Sequence, residues 1–466
     1  MLEVRDKDVA VLGLGRSGWA AAHLLRERGA RVVVLDENDG LELRRRADSL
    51  RLRGIAVELG VQPESEREFD LAVLSPGIAP ERPVVRVLGR RTPVLSEVEL
   101  AYRHCACPVV AITGTNGKTT TTELMAQALT AAGQRTVACG NIGYPFSEAV
   151  ELSRDLDYLV VEVSSFQLER IEQFRPRVAV WLNIRPDHMD RYRRFQDYVA
   201  AKARIFLNQT LNDTAVISAE VVQTLQEFGF PVRIPTLTFS AYNHEADLWL
   251  DWADGDSIWC RLPDYRGVLL RLSETQLRGA HNAENIMAVL AAGIALNLPV
   301  HLLREGIMAY RPQPHRCELV AVVDGVRYVN DSKATNVDAV LRALEAESGP
   351  VVLIAGGRDK GLDFAPLTPV LERKARGVIL IGEAREKMRA AWGRSVECRE
   401  AQTMEEAVYQ ARAWARAGDT VLLSPACASF DMFRDYQHRG EEFRRVVLTM
   451  AAENNPNQPT QGGERS

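Results

Sequence analysis

The stretch Val109–Thr122, VVAITGTNGKTTTT, constrains this chain more than any other. The apolar run Val109-Val110-Ala111-Ile112 reads as a buried strand. It breaks into a small, turn-forming segment, Thr113-Gly114-Thr115-Asn116-Gly117. Lys118 and four threonines follow, and helical spacing runs from Glu123 to Thr130. A strand, a glycine-bearing loop, Lys-Thr and a helix form the layout of a phosphate-binding loop. Gly117 lets the backbone approach a polyphosphate, and the amides at the helix start point at it. Lys118 brings positive charge to the β- and γ-phosphates, and the Thr119 hydroxyl can ligate Mg²⁺. Ile112 replaces the glycine that the standard loop carries five residues before Gly117. A bare GK[ST] triplet also occurs in plain β–α turns, but the strand before it and the threonines after it favour a nucleotide.

A chain of 466 residues is too long for one core and suggests about three domains. Its 46% hydrophobic and 26% charged content fit a soluble globular protein. The net charge of −5 argues against a general nucleic-acid binder, although a nucleotide needs only a local basic site. The start, MLEVRDKDVAVLG, lacks a signal-peptide layout, and no long uncharged apolar run could span a membrane. The cysteines Cys105, Cys107, Cys139, Cys260, Cys317, Cys398 and Cys427 show neither a CxxC pair nor a zinc spacing. Reduced thiols in a cytoplasm are therefore expected.

Lys7–Leu12 reads as a strand and runs into Gly13-Leu14-Gly15-Arg16-Ser17-Gly18. A helix Trp19–Arg28 and a second strand, Arg31–Leu35, ending at Asp36, follow. This β-α-β unit with GxGxxG at its first turn admits NAD, another nucleotide, or glycines that serve packing alone. A further strand, Leu71–Leu74, runs into the turn Ser75-Pro76-Gly77-Ile78, a place where α/β sheets hold ligands. Beyond the phosphate loop, the turn Gly140–Pro145 carries Asn141, and the buried strand Asp157–Val163 carries Glu162 near its end. Such an acid can hold Mg²⁺ or pair with a base. The segment after the strand Val178–Leu182 contains Asp187, His188 and Asp190 as potential ligands. Lys202, in the helix Gln196–Leu207, reads by default as a solvated or snorkelling lysine. Residues 210–275 read as short strands and turns, with Trp249, Trp252 and Trp259 as strand packing. The side-chain amides before the helix Ile286–Ala295 can cap it or read a base edge. After Arg311-Pro312-Gln313-Pro314 the chain alternates strands and helices again, and the tail Glu453–Ser466 is polar and expected to be disordered. The expected domains are 1–95, 96–312 and 313–452, followed by the tail 453–466.

Taken together, TGTNGKTT, GNIG, EVSSFQLE, DHMDRY, HNxxN, PHRCE, NDSKATN and GGxDKG resemble the Mur ligases, ATP-dependent enzymes that build the peptide of the bacterial cell wall. The resemblance spans the chain except its tail. GLGRSG, SSFQLE and SPACASFDMF look like the branch that adds D-glutamate to UDP-N-acetylmuramoyl-L-alanine. It implies an α/β fold of three domains: Rossmann-like, central P-loop ATPase-like, and C-terminal Rossmann-like. It also implies that the first domain holds UDP rather than NAD, through Arg16, Ser17, Asp36, Ser75, Pro76 and Gly77, with Asn141 helping from the central domain. Asn38 stands where relatives can carry a basic residue. By the same resemblance, ATP meets Thr115, Asn116, Gly117, Lys118, Thr119, Thr120, Thr121, Asn285, Arg316 and Asp331. Two Mg²⁺ are implied, on Thr119 and Glu162 and on His188, with Lys202 reacted with CO₂ to a carbamate that serves as an anionic ligand. Lys118, Glu162, His188 and Lys202 would be catalytic. Lys333, Thr335, Lys360, Ser429 and Tyr436 would surround D-glutamate. Neither nucleic acid nor membrane is an expected partner, and a monomer is expected. The competing readings are another amino-acid ligase of the same superfamily, an NAD-dependent oxidoreductase and a non-catalytic UDP-sugar binder. The last two leave the phosphate loop or its surroundings without a role.

Overall fold

The computed structural model describes residues 2–61, 67–79, 82–189, 191–311 and 313–454. These fall into two compact units divided at residue 310, with the short stretch 187–190 belonging to the second.

The first unit holds two sheets. One contains β1 (Asp8–Leu12), β2 (Arg31–Asp36), β3 (Ala56–Leu59), β4 (Leu71–Leu74) and β5 (Val94–Ser96), all parallel, in the order β3-β2-β1-β4-β5. Its strands are continuous apolar runs such as VAVL because both faces of a parallel sheet are covered by helices. The other has nine strands. They are β6 (Val109–Thr113), β7 (Thr136–Gly140), β8 (Tyr158–Glu162), β9 (Val178–Trp181), β10 (Thr214–Ser218), β11 (Thr236–Ser240), β12 (Leu248–Asp251), β13 (Ser257–Cys260) and β14 (Gly267–Arg271). The order is β14-β13-β12-β11-β10-β9-β6-β8-β7, so the phosphate-loop strand β6 lies between β8 and β9. The last two pairings, β12 with β13 and β13 with β14, are antiparallel. An apolar core runs without a break from Val9 and Val34 of the first sheet through Val98 to Val109 and Phe174 of the second.

The second unit contains β15 (Glu318–Val323), β16 (Val326–Asn330), β17 (Val351–Gly356), β18 (Ala375–Ile381), β19 (Cys398–Glu400) and β20 (Thr420–Leu423), in the order β15-β16-β20-β17-β18-β19. Of the pairings among these six described strands, only the β15–β16 hairpin is antiparallel. Helices on the two faces bury separate apolar cores, one around Leu344, Leu371 and Trp392, the other around Val408, Phe443 and Met450.

Two expectations need correction. Residues 210–275 are not strands and turns alone, because Ala219–Glu227 is an α-helix, capped by the Ser218 hydroxyl, which accepts the Val221 N–H. Its face toward the sheet is only Val221 and Leu225, too narrow a stripe to stand out. The final helix, Tyr436–Asn454, includes Glu453 and Asn454 of the stretch expected to be disordered; the rest of that stretch lies outside the described residues. Trp249 and Trp259 pack as expected, as cross-strand partners whose rings stack at 6.0 Å, whereas Trp252 lies beyond β12 and is 47% exposed, its indole N–H donating to the Ala241 carbonyl. Among the described residues, no helix is long and apolar enough to cross a membrane.

Candidate active site

The phosphate loop leaves β6 and enters the helix Lys118–Ala131 at Gly117, whose φ of +81° only glycine adopts at little cost. A Cβ there would lie 2.4 Å from Asn285 Oδ1, so the side chain of Asn285 is seated against the loop. Asn183, just past β9, fixes the other wall. The Asn116 N–H donates to Asn183 Oδ1 at 2.9 Å, the Asn183 amide donates to the Asn116 carbonyl at 3.1 Å, and the Thr115 N–H donates to the Asn183 carbonyl at 3.1 Å. The Arg185 N–H donates to the Thr115 hydroxyl. Lys118 folds back over the loop, its Nζ donating to the carbonyls of Gly114 (3.0 Å) and Thr115 (2.9 Å). The hydroxyls of Thr121 and Thr122 bond back to the helix carbonyls of Gly117 and Lys118. Thr120 is buried.

Thr119 turns outward instead. Its hydroxyl donates to Glu162 Oε2 at 2.7 Å, and the Asn141 amide donates to Glu162 Oε1 at 2.9 Å. Gly140, at φ +97°, makes this possible: a Cβ there would lie 2.3 Å from the Glu162 carbonyl oxygen. The buried carboxylate, the hydroxyl and the amide thus meet at the ends of β6, β7 and β8. A hydroxyl beside a carboxylate is a hard-oxygen pair that suits Mg²⁺, which takes its remaining ligands from phosphates and water. Among the described residues, no three His, Cys, Asp or Glu side chains are grouped to hold a metal by themselves.

Lys202 is not a snorkelling lysine. It is 1% exposed, and its Nζ lies 2.9 Å from the Gly114 carbonyl and 3.3 Å from the Thr113 hydroxyl. The helix Phe195–Ala203 therefore aims it at the end of β6.

In the first sheet, a Cβ on Gly18 would lie 1.8 Å from the Gly13 carbonyl oxygen, so the helix Arg16–Glu27 approaches β1 closely. The Asp36 carboxylate accepts the Leu14 N–H at 2.8 Å and the Asn38 N–H at 2.9 Å. It thereby braces the glycine turn with the carboxylate expected to contact the nucleotide. Ser75 donates to the Gly13 carbonyl at 3.1 Å, Arg16 reaches the Gly143 carbonyl at 3.5 Å, and Ser17 lies half-buried in the first turn of the helix. Pro76 and Gly77 form the turn after β4, and Gly77 has open space around it.

In the second unit His188 has the left-handed φ of +57°, and its own N–H donates to Asp187 Oδ1 at 2.9 Å. With Met189, Arg358, Asp359, Lys360, Gly361, Ala428 and Phe430 it lines a cavity of about 620 Å³. Asp190 lies outside the described residues. Lys333 Nζ lies 4.0 Å from the centre of the Tyr436 ring, Thr335 is half-buried, and Ser429 is buried beside the cavity wall. Arg439, fully buried, ties these loops together: it donates to the Ser332 hydroxyl (3.0 Å) and carbonyl (2.8 Å) and to the Cys427 carbonyl (3.1 Å). Burial pulls its guanidinium down to about 10, which leaves it charged at neutral pH. Asp331 accepts the Ser424 hydroxyl at 2.9 Å and the Cys317 N–H at 3.3 Å. Burial nevertheless pushes its carboxyl up to about 7, against the opposing charge of Arg316. Three residues that the sequence did not single out matter here. The Asn183 and Arg439 side chains bond to loops other than their own, which no local pattern signals. Arg358 carried a signal, since it is the unassigned position within GGxDKG.

The Mur ligase middle domain matches residues 112–293, and the Mur ligase, glutamate ligase domain matches residues 315–427. The UDP-N-acetylmuramoylalanine–D-glutamate ligase of Koribacter versatilis is 42% identical over 97% of this chain and 99% of its own. The protein of the same name from Geobacter metallireducens is 42% identical over 98% of this chain and 100% of its own. Among solved structures, the MurF ligase of Thermotoga maritima in complex with ADP superposes with a TM-score of 0.60, at 18% identity, over 96% of this chain and 97% of its own.

Proposed function

This chain belongs to the Mur ligase family, and from that premise we propose how its residues perform the family's chemistry. The chain is an ATP-dependent ligase that adds D-glutamate to UDP-N-acetylmuramoyl-L-alanine in peptidoglycan precursor synthesis, giving UDP-N-acetylmuramoyl-L-alanyl-D-glutamate, ADP and phosphate. The observation that carries the reading is the phosphate loop, with Thr119, Glu162 and Asn141 joined at its mouth.

A carboxylate is a poor electrophile, and phosphorylation gives it a leaving group. The L-alanine carboxylate attacks the γ-phosphate to form an acyl phosphate. The D-glutamate amine then attacks the carbonyl, and phosphate leaves. The first step brings two anions together, so cations must neutralise them. Lys118 leaves the Gly114 and Thr115 carbonyls for the β- and γ-phosphates, and the loop amides from Thr115 to Thr121 cradle them. Thr119, Glu162, His188 and, as a carbamate, Lys202 would serve as ligands for Mg²⁺, which would supply Lewis-acid charge neutralisation when bound. Asn285 contacts adenine, and Arg316 and Asp331 contact the ribose and phosphates. Arg16, Ser17, Asp36, the Ser75-Pro76-Gly77 turn and Asn141 hold the UDP-sugar. Lys333, Thr335, Lys360, Ser429 and Tyr436 hold D-glutamate, whose carboxylates need cationic and hydroxyl partners. The division at 1–95, 96–312 and 313–452, a monomeric state and a cytoplasmic location complete the proposal.

Phosphate release from ATP with Mg²⁺ and UDP-N-acetylmuramoyl-L-alanine, across a panel of amino acids, tests it. Release that depends on D-glutamate, with a product heavier by one glutamyl residue, is expected. Release with another amino acid refutes the substrate assignment, and no turnover with any acceptor refutes the ligase reading.

A further inference from the structure

Ligase chemistry leaves the cysteines unused, and two of them are placed together. Cys105 closes the helix Glu97–His104, and Cys107 lies two residues before β6. Their sulfurs are 3.9 Å apart, and Cys105 Sγ is 3.3 Å from the Cys107 carbonyl oxygen. The turn between them is anchored, because the Ala106 N–H donates to the Ser153 hydroxyl at 3.0 Å and that hydroxyl donates to the Val150 carbonyl. Both cysteines are partly exposed, whereas Cys139, Cys260 and Cys427 are buried. The pair therefore combines accessibility with a neighbouring thiol on the same side of a fixed turn. The contact between the sulfurs pulls the Cys105 thiol down against the effect of burial, and the same contact and burial push Cys107 up. Cys105 is thus favoured as the nucleophile, with Cys107, 3.9 Å away, as its resolving partner.

We propose that Cys105 and Cys107 form a redox site that hydrogen peroxide oxidises to an intrachain disulfide. The Cys105 thiolate attacks one peroxide oxygen, the O–O bond breaks, and hydroxide leaves and is protonated to water. The resulting sulfenic acid sulfur is attacked by Cys107, which gives up its proton as the S–O bond breaks and a second water leaves. Two thiols lose two electrons, and the peroxide gains them. Closure brings the sulfurs from 3.9 Å to a bond of about 2.05 Å. No residue of the phosphate loop takes part, so the site stands or fails independently of the ligase reading.

Trypsin cleavage after Arg103 and Lys118 releases HCACPVVAITGTNGK, which carries both thiols and no other cysteine. The reduced full-length chain is treated with hydrogen peroxide under native conditions, alkylated and digested. The expected peptide is unalkylated, lighter by two hydrogens, and restored to a doubly alkylated form by prior dithiothreitol. In Cys107→Ser the nucleophile has no partner, and Cys105 is expected to be trapped as a sulfenic acid by a cyclic 1,3-dione. In Cys105→Ser no such adduct forms on the peptide. Phosphate release by both variants confirms that they fold. Double alkylation at a peroxide dose that oxidises Cys398, or a disulfide from this peptide to another, overturns the proposal.

Discussion

At the scale of single residues, Gly117 is the most exacting position. Any side chain there needs the left-handed backbone and collides with the Asn285 amide. Gly117→Ala is expected to cost about 1–3 kcal/mol of stability in denaturant titrations and to slow ATP turnover by more than tenfold. Lys118→Ala keeps the fold but removes the charge, and phosphate release should fall by roughly 10²–10³-fold. Two buried titratable groups act through pH instead. Among the described residues, His104 has no hydrogen-bond partner on either ring nitrogen, and burial holds it down to about 4. Its folded pKa lies below the unfolded 6.5, so the unfolded chain binds more protons between those values, and stability falls as the pH drops through them. His104→Phe should remove that loss, which amounts to about 1.4 kcal/mol per pH unit within the window. Legibility at this scale was uneven. Gly117, Lys118 and Thr119 are local signals and could be read from the sequence. The burial of Lys202 could not, because its surroundings are carbonyls and hydroxyls from β6, some 88 residues away in the chain.

At the scale of elements, the strands were legible because buried parallel strands are unbroken apolar runs. The helix Ala219–Glu227 was not, since it covers the sheet with two apolar side chains only. The helix Tyr436–Asn454 shows how an element can be placed by one side chain. Arg439 satisfies carbonyls from the loop after β16 and the loop after β20, the two that carry Lys333 and Ser429. Arg439→Met leaves those carbonyls without donors, with an expected loss of about 3 kcal/mol in the second unit. The KM for D-glutamate should rise more than that for ATP, a split that steady-state kinetics would read. An unchanged KM for D-glutamate would mean that the loops keep their places without the guanidinium.

At the scale of the whole molecule, His104 in the first unit and Asp331 in the second carry pH dependences of opposite sign. In the second, Asp331 is raised from 3.8 to about 7, so the folded state binds more protons in that window. Its contribution to stability is present at low pH and lost as the pH rises. Glu97, also raised by burial, opposes His104 in the first unit, so variants are the cleaner comparison. Between pH 4 and 6.5, calorimetry of His104→Phe should show a gain over the parent that grows on acidification, confined to the first unit. Asp331→Asn should show a gain that grows as the pH rises toward 7, confined to the second. The nine-stranded sheet has a further consequence, one of timing. Its phosphate loop is braced by Asn183, 67 residues downstream of Asn116, and β6 is flanked by β8 and β9, both made later. While the chain is being translated, the loop's sequence leaves the ribosome long before the groups that shape it. An emerging chain therefore carries its most recognisable motif in an unfinished state until residue 183 has followed.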